Sequence, residues 1–161
     1  MSITSNVTRL LDQRKVPYTA YETPAEKLGA IETARFLNVE PATVFKTIVV
    51  TREKGKPLLV VVPGDAEVDL KAVAAALGEK KVHLPTEREA ERLTGLQAGG
   101  ISPLALINKG FQVVIDVSAQ ALGEIHVSGG QRGLNIRLAA DALAKLVNAR
   151  FAKVIRPSEQ S

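Results

Sequence analysis

The chain has 161 residues, 45% of them hydrophobic and 24% charged, which suits one globular domain able to bury a core without covalent staples. It contains no cysteine, which excludes disulfides, a thiol nucleophile and cysteine-ligated zinc. The net charge is +4, and residues 126–161 carry six Lys or Arg against two acids, a basic end compatible with a polyanionic partner and equally with a solvated surface.

Taken in order, the sequence predicts short alternating elements. Residues 4–15 place Val7, Leu10 and Leu11 at helical spacing behind Thr4 or Ser5 as N-cap, with no apolar leader segment, so a cytoplasmic protein is expected. Residues 18–22 read as a strand and 29–38 as an amphipathic helix stopped at Glu40-Pro41. Two apolar strands follow, 44–50 and 58–63, joined by the polar turn TREKGKP. Asp69 caps the helix LKAVAAAL, which ends at Gly78, and 81–84 is a short strand. Thr86 and Glu89 form a capping-box pair opening a helix to about Leu93. Strands are expected at 112–117, 124–128 and 134–138, then a helix at 140–149.

The crossovers are too brief and irregular for a doubly wound sheet. The pattern implies α+β architecture, a mixed, curved sheet flanked by short helices, in one domain over 1–156 with a loose tail at 157–161. No stretch approaches the ~18 uninterrupted apolar residues of a membrane span.

Within VFKTIVV (44–50), Lys46 is out of place among apolar neighbours. Alternation puts it on the same side as Val44, Ile48 and Val50, opposite Phe45, Thr47 and Val49, and both sides are otherwise apolar. A buried ammonium is costly unless an acceptor meets it. Three roles fit: an inward charge that discourages edge-to-edge aggregation, a stem that reaches solvent from the strand's end, or a cation that grips an oxygen in a cleft.

Two glycine clusters bear on that choice. In AGGISPLALI (98–107), Gly99 and Gly100 precede Ser102 at an N-cap and Pro103 at the first helical position, a layout that presents backbone N–H groups to an anion or developing oxyanion. HVSGGQRGLNIRL (126–138) is strand, glycine-rich turn, strand. Either cluster also serves simply as a turn, and neither matches a phosphate-loop or dinucleotide fingerprint. His83 and His126 fall in unrelated strands without metal-ligand spacing, each expected on a strand surface. Ser102 is followed by proline and has no His/Asp companions, so a hydrolase built here would work by positioning and electrostatics.

The blocks VFKT (44–47), TGLQAGGISPLA (94–105) and VSGGQRGLNIRLAA (127–140) together resemble the signatures of the bacterial YbaK/EbsC family, stand-alone relatives of the editing domain of bacterial prolyl-tRNA synthetases. The resemblance runs from the first helix to about residue 156. It implies a barrel-like mixed sheet and deacylation of mischarged tRNA, typically Cys-tRNA(Pro). It makes Lys46 the indispensable site residue, near the 3′-terminal adenosine or the aminoacyl carbonyl. The G-x-x-x-P loop from Gly99 through Gly100, Ile101 and Ser102 to Pro103 would hold the carbonyl with its amides. Tyr21, Thr47, Ser128, Gly129 and Gly130 would complete the substrate pocket, with Asn135 standing where relatives usually carry Asp.

The resemblance also implies that the substrate's own cysteine thiol attacks its ester, leaving a thiolactone, which explains a site without a nucleophile. The implied partner is the acceptor end of an aminoacyl-tRNA, with prolyl-tRNA synthetase as a possible second; no cofactor, DNA or membrane is expected. Two alternatives stay open: an Ala-tRNA(Pro) deacylase, and a non-catalytic tRNA-binding or regulatory module on the same fold.

Overall fold

The computed structural model describes residues 4–156; the tail expected at 157–161 lies outside the described residues. Helix α1 (Asn6–Gln13) starts at a capping box in which the Ser5 hydroxyl accepts from the Thr8 amide at 3.1 Å. It is followed by β1 (Tyr18–Glu22) and α2 (Ala30–Leu37). Strands β2 (Phe45–Arg52) and β3 (Leu58–Pro63) form the expected antiparallel pair, with Lys46 opposite Val62. The short strand β4 (Glu67–Val68) leads into α3 (Leu70–Leu77), capped by the Asp69 carboxylate and closed by left-handed Gly78. Then come β5 (Val82–His83) and α4 (Glu87–Thr94), the latter capped by Thr86.

The rest is β6 (Gln112–Asp116), α5 (Ser118–Leu122), β7 (Glu124–Ser128), β8 (Leu134–Ala139), α6 (Ala140–Val147), β9 (Arg150–Ala152) and β10 (Ile155–Arg156). The strands form a mixed five-stranded sheet in the order β5-β2-β3-β6-β9, a three-stranded antiparallel sheet β1-β8-β7, and the pair β10-β4. A lone parallel bridge between Val44 and His126 joins the two larger sheets. This is the expected mixed α+β architecture, but the sheets do not close into a barrel. Among the described residues no helix is long and apolar enough to cross a membrane.

The five-stranded sheet has a core on each face, which is why β2 and β3 read as apolar on both sides. Phe45, Val49, Leu59 and Val61 join the larger core with Ile115, Ile125 and Ile136. Val50, Leu58, Val60 and Val62 join the second with Val73 and Val114. By alternation Lys46 belongs to the second face, at its end, where the apolar packing stops.

Candidate active site

A cleft of ≈ 840 Å³ runs along the start of β2 and is walled by the loop before α2, by Gly99 and Ile101, and by Leu134 and Asn135 of β8. Six consecutive residues, Val44 to Val49, line it. Alternation alone would send Lys46 and Thr47 to opposite faces; both reach the cleft because it follows the strand's edge. That edge is paired by β5 only at Thr51 and Arg52, and at Val44 by the bridge to His126, so between these points it opens to the cleft.

Lys46 is half-buried, and its Nζ donates to the carbonyl oxygen of Gly64 at 3.4 Å. Gly64 is itself folded back onto the beginning of β2, its amide donating to the Val44 oxygen at 2.7 Å. Burial pulls the Lys46 pKa below the ordinary lysine value, while the charges of Glu67 and then Asp65 pull it back up. Lys46 forms no ion pair among the described residues. Among the other charged residues that line the cleft, Lys27 pairs with Glu87 at 2.7 Å and Arg156 with Glu67 at 2.9 Å.

The two glycine clusters interlock. Arg132 Nε donates to the Ala98 oxygen at 2.8 Å, and Gly130, with φ +93°, faces the Ala105 methyl so closely that a Cβ would lie 2.8 Å from it. Their amides are largely committed: Gly100 donates to Gln97 at 2.8 Å, Gly129 to Leu134 at 2.9 Å, and Gly130 to the Ser128 hydroxyl at 3.2 Å. The Gly99 and Ile101 amides make no intramolecular hydrogen bond among the described residues, and both residues line the cleft. Ser102 is fully buried and accepts from the Leu104 amide at 3.2 Å, so with Pro103 it builds the turn and takes no part in the cleft wall.

Of the residues singled out from the sequence, Lys46, Thr47, Gly99, Ile101, Ser128 and Asn135 therefore share the cleft. Gly100, Ser102, Pro103, Gly129 and Gly130 stand behind them as its scaffold, and Tyr21 lies to one side with its ring centroid 5.5 Å from that of His126. His126 corrects an expectation: it is 4% exposed, not on a strand surface, its backbone bridged to Val44 and its ring against Asn135 and Tyr21. The sequence reading missed Gly64, Asp65 and Glu67, which surround the Lys46 ammonium; the signal was PGDAE, a proline–glycine stop with two acids directly after the partner strand. Among the described residues no group of His, Cys, Asp and Glu could hold a metal ion.

The arrangement suits binding and polarising an oxygen. Its lining holds one ammonium outside any ion pair and two amides uncommitted among the described residues, and includes no cysteine or histidine.

Comparison with known proteins decides the family. Residues 25–146 match the aminoacyl-tRNA editing domain. The chain belongs to this family. It is 38% identical over 152 residues to EbsC of Enterococcus faecalis, named as a candidate Cys-tRNA(Pro)/Cys-tRNA(Cys) deacylase, with 93% of this chain and 92% of that protein covered. Over 140 residues it is 26% identical to the proline–tRNA ligase of Trichlorobacter lovleyi, covering 81% of this chain but only 24% of that enzyme. A crystal structure of a candidate trans-editing enzyme for prolyl tRNA synthetase superposes with a TM-score of 0.79 at 25% identity, covering 97% of this chain and all of the other.

Proposed function

We propose that the protein is a trans-editing deacylase that removes cysteine from mischarged Cys-tRNA(Pro). The observation that carries this reading is the half-buried, unpaired Lys46 ammonium in one cleft with the free Gly99 and Ile101 amides, in a chain of the editing family. EbsC, similar over nearly its whole length, is named for the same reaction.

In this reading the aminoacyl ester enters the cleft with its carbonyl oxygen toward Lys46 and the two amides. The substrate thiol's sulfur attacks the carbonyl carbon, the bond from that carbon to the ribose oxygen breaks, and the thiol proton ends on the ribose oxygen. The products are cysteine thiolactone and free tRNA. The protein then supplies conformation and oxyanion stabilisation, which is why a cysteine-free chain suffices. The basic C-terminal segment would meet the acceptor stem through its phosphates. Prolyl-tRNA synthetase would supply the tRNA identity that such contacts do not read.

The test is release of amino acids from a panel of aminoacyl-tRNAs, with and without prolyl-tRNA synthetase, by wild type and Lys46→Ala. Cys-tRNA(Pro) should be cleared by wild type alone. Equal rates for the two proteins would remove Lys46 from the site, and preference for Ala-tRNA(Pro) would replace the substrate.

A further inference from the structure

The polar side of the β1-β8-β7 sheet holds a hydrogen bond beneath the cleft wall. Tyr21, Asn135 and Ser128 sit directly across from one another on the three strands, and His126 lies two residues from Ser128 on the same side. The Nδ1 atom of buried His126 is 2.9 Å from Asn135 Oδ1. An amide oxygen only accepts, so Nδ1 carries the proton and donates. That bond sets the rotation of the Asn135 amide, with Oδ1 toward the imidazole and Nδ2 away from it. Among the described residues Nδ2 makes no hydrogen bond with the protein, yet no buried side-chain nitrogen or oxygen there is left unpaired. It must therefore open onto accessible space, and the space that Asn135 lines is the cleft.

We propose that His126 is a positioning residue that, through its Nδ1–H···Oδ1 bond, holds the Asn135 amide with its N–H groups turned into the cleft. This rests on the editing reading above and adds a specificity element to it. The wall at Asn135 offers a neutral donor, which suits an oxygen or sulfur acceptor of the aminoacyl group and gives nothing to an ammonium. The Lys46 ammonium and the amides of the cleft-lining Gly99 and Ile101 are donors too. Tyr21 supports the imidazole from the side, its ring tilted 45° to it.

Two measurements decide this. Nitrogen-15 shifts of the His126 imidazole should show the Nδ1-protonated tautomer in wild type, and the pattern should change in Asn135→Leu. An Nε2-protonated tautomer would turn the amide around, put the Asn135 oxygen in the cleft and overturn the proposal. This readout needs no activity, so it stands even if no aminoacyl-tRNA proves to be a substrate, an outcome that would sink the editing reading alone. In deacylation assays, His126→Leu should lower kcat/KM about tenfold, the loss of one hydrogen bond's ordering. His126→Asn, whose amide nitrogen can occupy the place of Nδ1, should recover most of that loss. Failure of His126→Asn to exceed a correctly folded His126→Leu would also overturn the assignment.

Discussion

Gly100 and Gln131 lie in such close contact that a Cβ built on the glycine would sit 3.0 Å from the Gln131 Cα and carbonyl carbon. The two glycine-rich loops are therefore packed backbone to backbone, and a methyl at position 100 meets no flexible side chain that could move aside. Gly100→Ala should cost about 1–3 kcal/mol of stability through overpacking. It should also shift Gly99 and Ile101 in the cleft wall and raise KM. Denaturant midpoints and deacylation kinetics on one preparation check both; a variant with wild-type stability would refute the contact.

The turn that carries the acceptor for Lys46 is equally crowded. A Cβ at Gly64 would lie 2.6 Å from the Ala30 methyl and 2.8 Å from the Val44 oxygen. Gly64→Ala should destabilise the fold by about 1–3 kcal/mol. Adding Ala30→Gly should recover only part of this, because the clash with the Val44 oxygen remains. Full recovery in the double variant would mean that the main-chain contact is not felt.

Most elements were legible because each carried a local signal: the Asp69 and Thr86 caps, the left-handed Gly78, and the apolar runs of β2 and β3. The elements left out were β4, α5, β9 and β10, of two to five residues, too short for any periodicity and fixed by partners distant in sequence, as when Phe151 aligns with Ile115. The anomaly of Lys46 among valines pointed to the end of β2 that lines the cleft. What alternation hid was that the cleft runs along the edge of β2 and so takes neighbours of both parities. His126 escaped for a related reason: nothing local reveals that the chain at Val44 pairs alongside it or that Tyr21 and Asn135 meet its ring.

Lys46 should be dispensable for folding and indispensable for chemistry. Its pKa is held below the ordinary value by burial, so in the native state the ammonium is disfavoured relative to the unfolded chain. The penalty is fully present below the folded-state pKa and fades as pH rises from there toward the unfolded value. Lys46→Met should therefore be at least as stable as wild type at pH 7, any gain staying within roughly 1 kcal/mol. Deacylation should fall on the order of a hundredfold or more, the scale of losing a charge aimed at an oxyanion. Thermal melts at pH 7 beside single-turnover rates test the pair of claims, and a marked loss of stability would recast Lys46 as structural.

The ion pair between Lys27 and Glu87 spans two cleft-lining residues at 2.7 Å, with side chains 53% and 57% exposed. Exposed pairs of this kind are worth about 0–1 kcal/mol and are screened by salt. Lys27→Ala should leave the melting temperature nearly unchanged. If the pair sits where the substrate enters, the variant should raise KM, and the rise should shrink as ionic strength increases. An effect on kcat alone, insensitive to salt, would count against an entry role.

The acids beside Lys46 set the pH range over which it stays charged. Glu67 raises its pKa more than Asp65 does, against the opposing effect of burial. Glu67 is also the partner of Arg156, so Glu67→Gln removes an anion and leaves a cation uncompensated nearby. Both changes favour the neutral amine. If catalysis needs the ammonium, activity is lost as pH rises through the folded-state pKa, and Glu67→Gln should move that alkaline limb to lower pH. Asp65→Asn should move it the same way by less. The acid side, governed by the substrate thiol, should not shift. The profile is measured as enzyme-dependent rate after subtracting spontaneous ester hydrolysis, alongside nitrogen-15 titration of the Lys46 amine. An alkaline limb that stays in place while the amine's own titration moves would show that the charge at position 46 does not control the rate.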